Sequence, residues 1–307
     1  MIDYHRELID DEQRTAAYRD AIRHYVRPDS VVLDLGCGSG ILSLFACEAG
    51  ARHVYAIDFQ HAADLAALLA RQCGFAERIT VIHDKSFDVT LPEKAGILVN
   101  ELMGGFALEE GMLGSVIDAR MRLLKQDAVI IPAALQMRIA AVEYPEAHDR
   151  LIGWWQRPHY GFDLCAVHMF ASNVFRHEKI PPSALLTDPA TVIAIDFSTI
   201  TTQDVSGRAQ LRATRDGIVH GFAGWFHATL APGIEIEASC GSSMHWYQAF
   251  LALEEPVAVR AGTAMEIELQ SHNGAMSRWS GTIHTDVPVT FDQMTRLSRP
   301  PCIRSRP

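Results

Sequence analysis

The stretch VVLDLGCGSG, residues 31–40, decides the fold of the first part of this 307-residue chain. Its β-branched, apolar start predicts a short buried strand, and the segment Ile41–Ala49 that follows the three alternating glycines has helical character. A glycine-rich turn between a strand and a helix lets a ligand approach the backbone at the helix N-terminus. The stretch therefore predicts a cofactor site built on an α/β sheet.

Strand and helix patterns alternate through the first 132 residues. The further elements expected there are strands at His53–Asp58, Ile79–His83, Ile97–Asn100 and Ala128–Ile131, and helices at Ala62–Cys73 and from about Glu110 to Leu124. This alternation is typical of βαβ units, which form a parallel sheet covered by helices on both faces. We therefore expect residues 1–132 to form a doubly wound, Rossmann-like domain.

The spacing of the turn indicates which cofactor this domain binds. The glycines follow the pattern GxGxG, with Asp34 two residues before Gly36, whereas dinucleotide-binding folds use GxGxxG. Asp58 closes the next predicted strand 22 residues after Gly36 (58 − 36), a suitable position for binding a ribose diol. The pattern favours S-adenosylmethionine over NAD, because S-adenosylmethionine has no pyrophosphate. Its expected contacts include Asp34, Gly36, Gly38 and Asp58.

The pattern changes after Pro132, where alternating apolar and polar residues replace the βαβ units. The alternating segments are Leu135–Glu143, Val192–Ile200, Ile218–Leu230, Tyr247–Val259 and Ala264–Ser271. They predict an antiparallel sandwich or barrel in residues 133–307. Tyr160–Ser183 is irregular and is expected to be an excursion from this domain, while Leu297–Pro307 is expected to be a loosely held terminus.

Composition excludes several classes of partner. The formal net charge of −10 argues against a duplex nucleic-acid binder, which needs a basic surface. No apolar run reaches the roughly 18 to 20 residues that span a bilayer, so we expect no membrane partner. The six cysteines form no CxxC pair and no Cys/His metal-binding spacing, so we expect reduced thiols, a cytoplasmic location and no metal.

A second motif, ELMGGFALEE at residues 101–110, carries two candidate catalytic carboxylates. Glu101 follows a predicted strand at the carboxyl edge of the sheet, where doubly wound folds bind ligands. Glu110 is expected to begin the next helix, and the double glycine lets the loop fold back. Both carboxylates can then converge on one cationic group. The alternative is that Glu110 only favours a helix N-terminus and Glu101 is solvated.

Taken together, these motifs resemble the protein arginine methyltransferase family over nearly the whole chain. The loop with Glu101 and Glu110 is similar to the family's double-glutamate loop, which implies that both carboxylates bind the arginine guanidinium. The segment HRELIDDEQR, residues 5–14, looks like the family's N-terminal helix. The resemblance implies that Arg14 pairs with the cofactor carboxylate and that His5 contacts the cofactor, as do Ser86 and Phe87 near the adenine.

The second half of the chain is also similar to this family. The segment SMHW, residues 243–246, resembles its Thr-His-Trp loop, which implies a pair between His245 and Asp11 beside the catalytic glutamates. The resemblance further implies that the residues at the substrate are Leu8, Met112 and Trp246. Residues 160–163, within an arm at about 160–183, look like the start of the segment through which these enzymes form homodimers. The implied fold is a methyltransferase domain followed by an all-β barrel domain with a dimerisation arm.

The expected activity is methyl transfer from S-adenosylmethionine to a guanidino nitrogen of arginine in a protein or peptide. Leu102 and Gly105 replace aromatic residues common in the family's glutamate loop, and Met244 replaces its threonine. Because these changes affect the expected acceptor pocket, free L-arginine or a related guanidino metabolite is an alternative substrate. A non-catalytic S-adenosylmethionine-binding scaffold and a methyltransferase acting on a neutral small molecule are further alternatives. The number of methyl groups added and the proton acceptor stay open.

Overall fold

A computed structural model of the chain describes residues 2–294. The predictions for the terminus Leu297–Pro307 and for Cys302 lie outside the described residues. Within the described range, no helix has the length and apolar character needed to cross a membrane. Contacts divide the chain into two compact units, and the first comprises the residues up to Gln136 together with Ala194–Gln203 and Phe226–Trp246. The second comprises Met137–Ile193, Asp204–Trp225 and the described residues from Tyr247 onward.

The first unit contains a five-stranded parallel sheet with the order β3-β2-β1-β4-β5. Its strands are β1 (Val31–Leu35), β2 (His53–Asp58), β3 (Ile79–His83), β4 (Ala95–Asn100) and β5 (Leu124–Ile131). The helices of this part are α1 (Ile2–Asp10), α2 (Glu12–Tyr25), α3 (Ile41–Glu48), α4 (Ala62–Gln72) and α5 (Met112–Arg122), with a short 3-10 helix at Ser86–Asp88. This architecture confirms the expected doubly wound α/β fold.

Strand β1 is the centre of this sheet and positions the site. All five of its residues are buried, as expected for a strand covered by helices on both faces. It pairs in parallel with β2 on one side and with β4 on the other, so the chain order reverses between these neighbours. Ligands of doubly wound folds bind outside the carboxyl ends of the strands at such a reversal. The glycine turn follows β1 and Glu101 follows β4, and these are the two strands on either side of the reversal.

Several boundaries differ from the sequence-based expectation by one or more residues, as at the start of β4, and three of the differences have a local cause. The N-terminal segment forms two helices rather than one, because Asp11 leaves helical geometry and accepts a hydrogen bond from the Arg14 backbone N–H, which caps α2. Helix α5 begins at Met112 rather than Glu110, because Gly111 has a φ of +71° and interrupts helical geometry. Strand β5 begins at Leu124 rather than Ala128, because the exposed polar residues 125–127 interrupt its apolar pattern.

The strands described after β5 form antiparallel sheets, as the alternating patterns predict. The strands are β6 (Ala134–Val142), β7 (Arg176–Glu178), β8 (Ala190–Asp196), β9 (Val205–Arg212), β10 (Gly217–Ala231), β11 (Ile234–Glu237), β12 (Gln248–Val259), β13 (Ala264–His272), β14 (Ala275–Ile283) and β15 (Val289–Met294). One sheet has the order β7-β12-β10-β6-β8, with β11 also paired to β10, and the second unit contains the sheet β15-β14-β13-β9.

The segment Tyr160–Ser183 is more regular than its composition suggests. It contains helix α7 (His168–Ser172) and strand β7, which pairs with β12. Helix α6 (Pro145–Leu151) precedes it, and the short 3-10 helices of this part are Gly153–Gln156, Cys165–Val167 and Pro182–Ala184. Tyr160 and Phe162 expose 99% and 69% of their surface, so this segment presents apolar side chains on the isolated chain.

Candidate cofactor and acceptor site

A cleft of about 710 Å³ lies at the carboxyl edge of the parallel sheet. It is lined by residues from α1, the start of α2, the glycine turn, the end of β2 and the loop after β4. Among the predicted site residues, those that line it are His5, Leu8, Arg14, Gly36, Gly38, Asp58, Ser86, Glu101 and Glu110. Residues expected from separate motifs therefore share one cavity.

The glycine turn and Asp58 form one wall of this cleft. The Gly38 N–H donates to one oxygen of Asp58 at 2.9 Å, and the Gln60 N–H donates to the other at 2.8 Å. Gly38 has a φ of +52°, and a Cβ atom there would lie 2.9 Å from Cε1 of His5. The backbone conformation therefore favours glycine here, and a larger residue would also displace the His5 ring.

Asp34 lies beneath the turn and does not line the cleft. It is fully buried, and the Ser43 hydroxyl donates to its Oδ2 atom at 2.6 Å. Burial raises the pKa of Asp34 to about 7, against the opposing effect of the Ser43 hydrogen bond. Asp34, expected to contact a cofactor, instead joins β1 to α3 through Ser43 outside the cleft lining.

Arg14 and Glu101 form a buried ion pair inside the cleft. The Arg14 Nε and Nη2 atoms donate to the same Glu101 oxygen at 3.0 and 2.6 Å, and both side chains are more than 90% buried. Arg14 Nη1 donates to the Leu8 carbonyl at 2.8 Å, which ties α1 to α2. Burial by itself lowers the pKa of Arg14, but the carboxylate of Glu101 outweighs this effect and the net shift is upward.

Glu110 is the second carboxylate of the cleft, and its pKa is raised. Its side chain is open to the cleft, yet protein surrounds much of the carboxyl group. This partial desolvation, together with the negative charges of Glu101 and Glu109, raises the pKa of Glu110 to about 7. A cation that enters the cleft stabilises the charged form of Glu110 and lowers this pKa.

Asp11 and His245 form a second pair within the first unit. Both the backbone N–H of His245 and its Nδ1 atom lie within hydrogen-bond distance of Asp11 Oδ2, at 2.8 and 2.9 Å. Burial raises the pKa of Asp11, but the hydrogen bonds from His245 and from the Arg14 backbone outweigh it, so the net shift is downward. Asp11 thereby connects the His245 loop to the helix that carries Arg14.

Trp246 holds this loop against the glutamate loop. Its indole Nε1 donates to the Met103 carbonyl at 2.7 Å, and the side chain is buried. Met112, also predicted at the substrate, is fully buried, while Phe87 is exposed. In the part of the chain that the structure describes, Met112, Phe87 and Trp246 are not among the residues that line the cleft.

Sequence reasoning missed two side chains of α1, Tyr4 and Ile9, that line the cleft. Both lie on the same helix face as His5 and Leu8, because residues four apart on a helix are neighbours. That periodicity was the signal that could have revealed them. No side chain of α1 is fully buried, and Tyr4 exposes 50% of its surface.

The residues of the cleft fit S-adenosylmethionine. The glycine turn has the close-packed backbone that a Cβ atom would obstruct, and Asp58 lies at the end of β2 beside it. Arg14 supplies a cation for the amino-acid carboxylate. Tyr4, Leu8 and Ile9 supply an apolar helix face that a bound molecule can cover.

Family models match the chain in two parts. Residues 133–290 match the model described as the arginine methyltransferase oligomerization subdomain. Residues 13–131 match the model described as ribosomal protein L11 methyltransferase.

Curated relatives cover most of the chain. Protein arginine N-methyltransferase 1 of Schizosaccharomyces pombe is 34% identical over 84% of this chain and 78% of its own length. Protein arginine N-methyltransferase 1 of Dictyostelium discoideum is 33% identical over 84% of this chain and 78% of its own length. Protein arginine N-methyltransferase 2 of Homo sapiens is 31% identical over 84% of this chain and 64% of its own length.

Solved structures have the same fold. One chain of a Trypanosoma brucei PRMT1 enzyme-prozyme heterotetrameric complex with AdoHcy superposes with a TM-score of 0.89 and 27% identity, covering 97% of this chain and 98% of that one. Arabidopsis thaliana protein arginine methyltransferase 10 gives a TM-score of 0.83 at 24% identity, covering 96% and 97% of the two chains, and this likeness bears on the fold alone.

Proposed function

The chain belongs to the protein arginine N-methyltransferase family, and we propose that it transfers a methyl group from S-adenosylmethionine to a guanidino nitrogen of arginine in a protein. One observation carries this proposal: Glu101 and Glu110 line the same cleft as the glycine turn and Asp58. A cofactor at the turn and a guanidinium at the two carboxylates would therefore be neighbours. Positioning two reactants in this way supplies much of the acceleration of a methyl transfer.

The two carboxylates would perform different tasks. Arginine is a poor nucleophile because its guanidinium is protonated and delocalised. Glu101, held by Arg14, would orient the plane of the guanidinium and localise its positive charge. This would leave lone-pair density on the other terminal nitrogen, which would face the methyl group of a cofactor held at the glycine turn. The bound cofactor supplies the activated methyl group for the transfer.

Glu110 would accept the proton that the methylated nitrogen releases. The pKa of Glu110, raised to about 7 in the empty cleft, falls when a guanidinium binds beside it, so the carboxylate would be deprotonated and able to accept the proton. The pair of His245 and Asp11 is the alternative acceptor, and their mutual hydrogen bond supports a relay through the imidazole. In this alternative, Glu110 only binds the guanidinium.

We also propose roles for the two parts of the chain and for the arm. Residues 1–132 would bind the cofactor, and residues 133–307 would form a β barrel that binds substrate. An arm at about 160–183 would mediate a homodimer, which the match to an oligomerization subdomain and the exposed side chains of Tyr160 and Phe162 support. A cytoplasmic location stays a prediction.

Methyl transfer to two acceptors in parallel tests the proposed function. Labelled S-adenosylmethionine is incubated with the purified chain and either an Arg-Gly-rich peptide or free L-arginine, and products are read by mass spectrometry. We expect label on the peptide, and loss of label with Glu101→Gln or Glu110→Gln. Glu77→Gln, an exposed glutamate outside the cleft lining, is the matched control and should retain activity.

The other outcomes separate the alternatives. Label on free arginine alone would identify a metabolic enzyme. Cofactor binding without label on either acceptor would support a scaffold. Full activity of Glu101→Gln would favour a neutral acceptor, because such a substrate does not need the paired carboxylates.

A further inference from the structure

His61, Asp64 and His83 form a cluster of metal-ligating side chains at the surface of the first unit. One ligand atom from each lies within 4.8 Å of the others, and all three residues are exposed. His61 and Asp64 are three residues apart at the start of α4, which places them on one helix face. His83 ends the neighbouring strand β3. The sequence spacing alone does not reveal this site, because its third ligand comes from another element.

The carboxylate of Asp64 lies between the two imidazoles. Its Oδ2 atom is 3.7 Å from Nδ1 of His61, and its Oδ1 atom is 3.9 Å from Nδ1 of His83. The two rings are 5.5 Å apart between centroids. Zinc binds imidazole nitrogen and carboxylate oxygen at about 2.0 to 2.2 Å, so tetrahedral ligands lie about 3.4 Å apart. The two histidine–aspartate separations exceed this value by a few tenths of an ångström, and the ligand atoms of all three side chains lie within 4.8 Å of one another. Rotation of these exposed side chains would bring the three ligand atoms to the tetrahedral separation.

We propose that His61, Asp64 and His83 bind a divalent transition-metal ion of the zinc class. Two imidazoles and one carboxylate suit Zn²⁺, whereas Mg²⁺ prefers oxygen ligands and keeps its waters. Three protein ligands leave further coordination positions for water, as solvent exposure at this position requires. The site takes the metal alone and does not depend on the proposed methyl transfer.

The position of the cluster relates it to the cleft. Gln60 and Ala62, on either side of His61, line the cleft, as does Asp84, which follows His83. The Asp84 N–H also donates to the Asp58 carbonyl at 3.1 Å, so the ends of β2 and β3 are already joined there. A bound ion would add a second connection between the segments that follow these strands.

Calorimetric titration of the chelator-treated full chain with Zn²⁺ tests the proposal. We expect one equivalent to bind, with no comparable heat from Mg²⁺. Loss of an outer-shell partner typically costs about 10- to 100-fold in metal affinity, so removing a direct ligand in His83→Ala or Asp64→Asn should cost at least about 10-fold. His272→Ala is the matched control, because His272 also pairs with a carboxylate, Asp204, at 3.0 Å but lies outside the cluster.

A thermal unfolding measurement guards against a variant that simply misfolds. Without metal, the His83→Ala and wild-type chains should unfold at the same temperature, and Zn²⁺ should raise the midpoint of the wild type alone. Absence of Zn²⁺ binding to the wild type would overturn the proposal and leave two exposed ion pairs. Equal Zn²⁺ affinity in the wild type and His83→Ala would overturn it as well.

Discussion

Arg14 donates two hydrogen bonds to a single oxygen of Glu101, and the two residues are 87 positions apart in the chain. The pair connects the first turn of α2 to the loop that carries the proposed acceptor site. Arg14 has two proposed roles. It orients Glu101 for the substrate, and its guanidinium also lines the cleft where the cofactor carboxylate would bind.

Arg14→Ala should destabilise the chain strongly. The substitution leaves the buried carboxylate of Glu101 without its cation, and breaking a buried pair in this way costs about 3 to 5 kcal/mol. Chemical denaturation measures the change in the free energy of unfolding. Arg52→Ala, which breaks the exposed pair with Glu93, is the control and should give no resolvable change. Equal losses in the free energy of unfolding for Arg14→Ala and Arg52→Ala would show that burial does not set the cost of breaking these ion pairs.

Removing the Glu101 carboxylate as well should restore part of the stability that Arg14→Ala loses. In the double variant Arg14→Ala, Glu101→Gln, no unpaired charge remains in the buried position, so the loss should be smaller than in Arg14→Ala alone. A double-mutant cycle by denaturation measures the coupling. Additive effects of the two single substitutions would mean that the ion pair contributes nothing beyond its separate parts.

Glu110→Gln should change the pH dependence of stability. The folded-state pKa of Glu110 is about 7, above the ordinary value of 4.5, so the folded chain binds more protons than the unfolded chain between these values. Stability therefore falls as the pH rises through this window, and Gln removes that contribution. Denaturation of the wild type and of Glu110→Gln gives the free energy of unfolding of each as a function of pH. Asp34 has a similarly raised pKa and is present in both proteins, so the difference between these two curves isolates the contribution of Glu110.

Gly38→Ala should weaken cofactor binding, because the His5 ring that lines the cleft must move to admit the new Cβ. The new Cβ would lie 2.9 Å from His5, at a φ that side chains rarely adopt. Gly74→Ala is the matched control, since Gly74 has a φ of +78° but no atom near its Cβ position. Both substitutions should cost about 1 to 2 kcal/mol of stability from backbone strain. Calorimetry with S-adenosylhomocysteine should show a loss of affinity for Gly38→Ala only, and a similar loss in both variants would contradict the packing argument.

Substitutions of Asp11 separate its cap from its charge. Asp11→Ala removes the cap of α2 and should lower the free energy of unfolding by about 1 to 2 kcal/mol. Asp11→Asn keeps a capping side chain, so it should lose less. Because the folded-state pKa of Asp11 is lowered, its ionic contribution is present above the ordinary aspartate value of 3.8 and is lost as the pH falls through the folded pKa. Denaturation at neutral and acidic pH checks both statements.

Local patterns in the sequence were sufficient for the parallel sheet. Strands β1, β2 and β3 have the predicted bounds, because each is a short apolar run that ends at a turn or a polar residue. The glycine turn follows from the same stretch, since positive φ angles and close packing both require glycine. Residue type and spacing within about ten positions carry this information.

The tertiary structure alone decided how distant residues combine. Nothing near Arg14 indicates its pairing with Glu101, and nothing near His83 indicates its approach to α4. The burial of Asp34 and Met112, both predicted as contact residues, also became visible only in the fold. The reason is that periodicity reports which face of an element is buried, whereas ion pairs, desolvation and shifted pKa values depend on which other elements pack against that face.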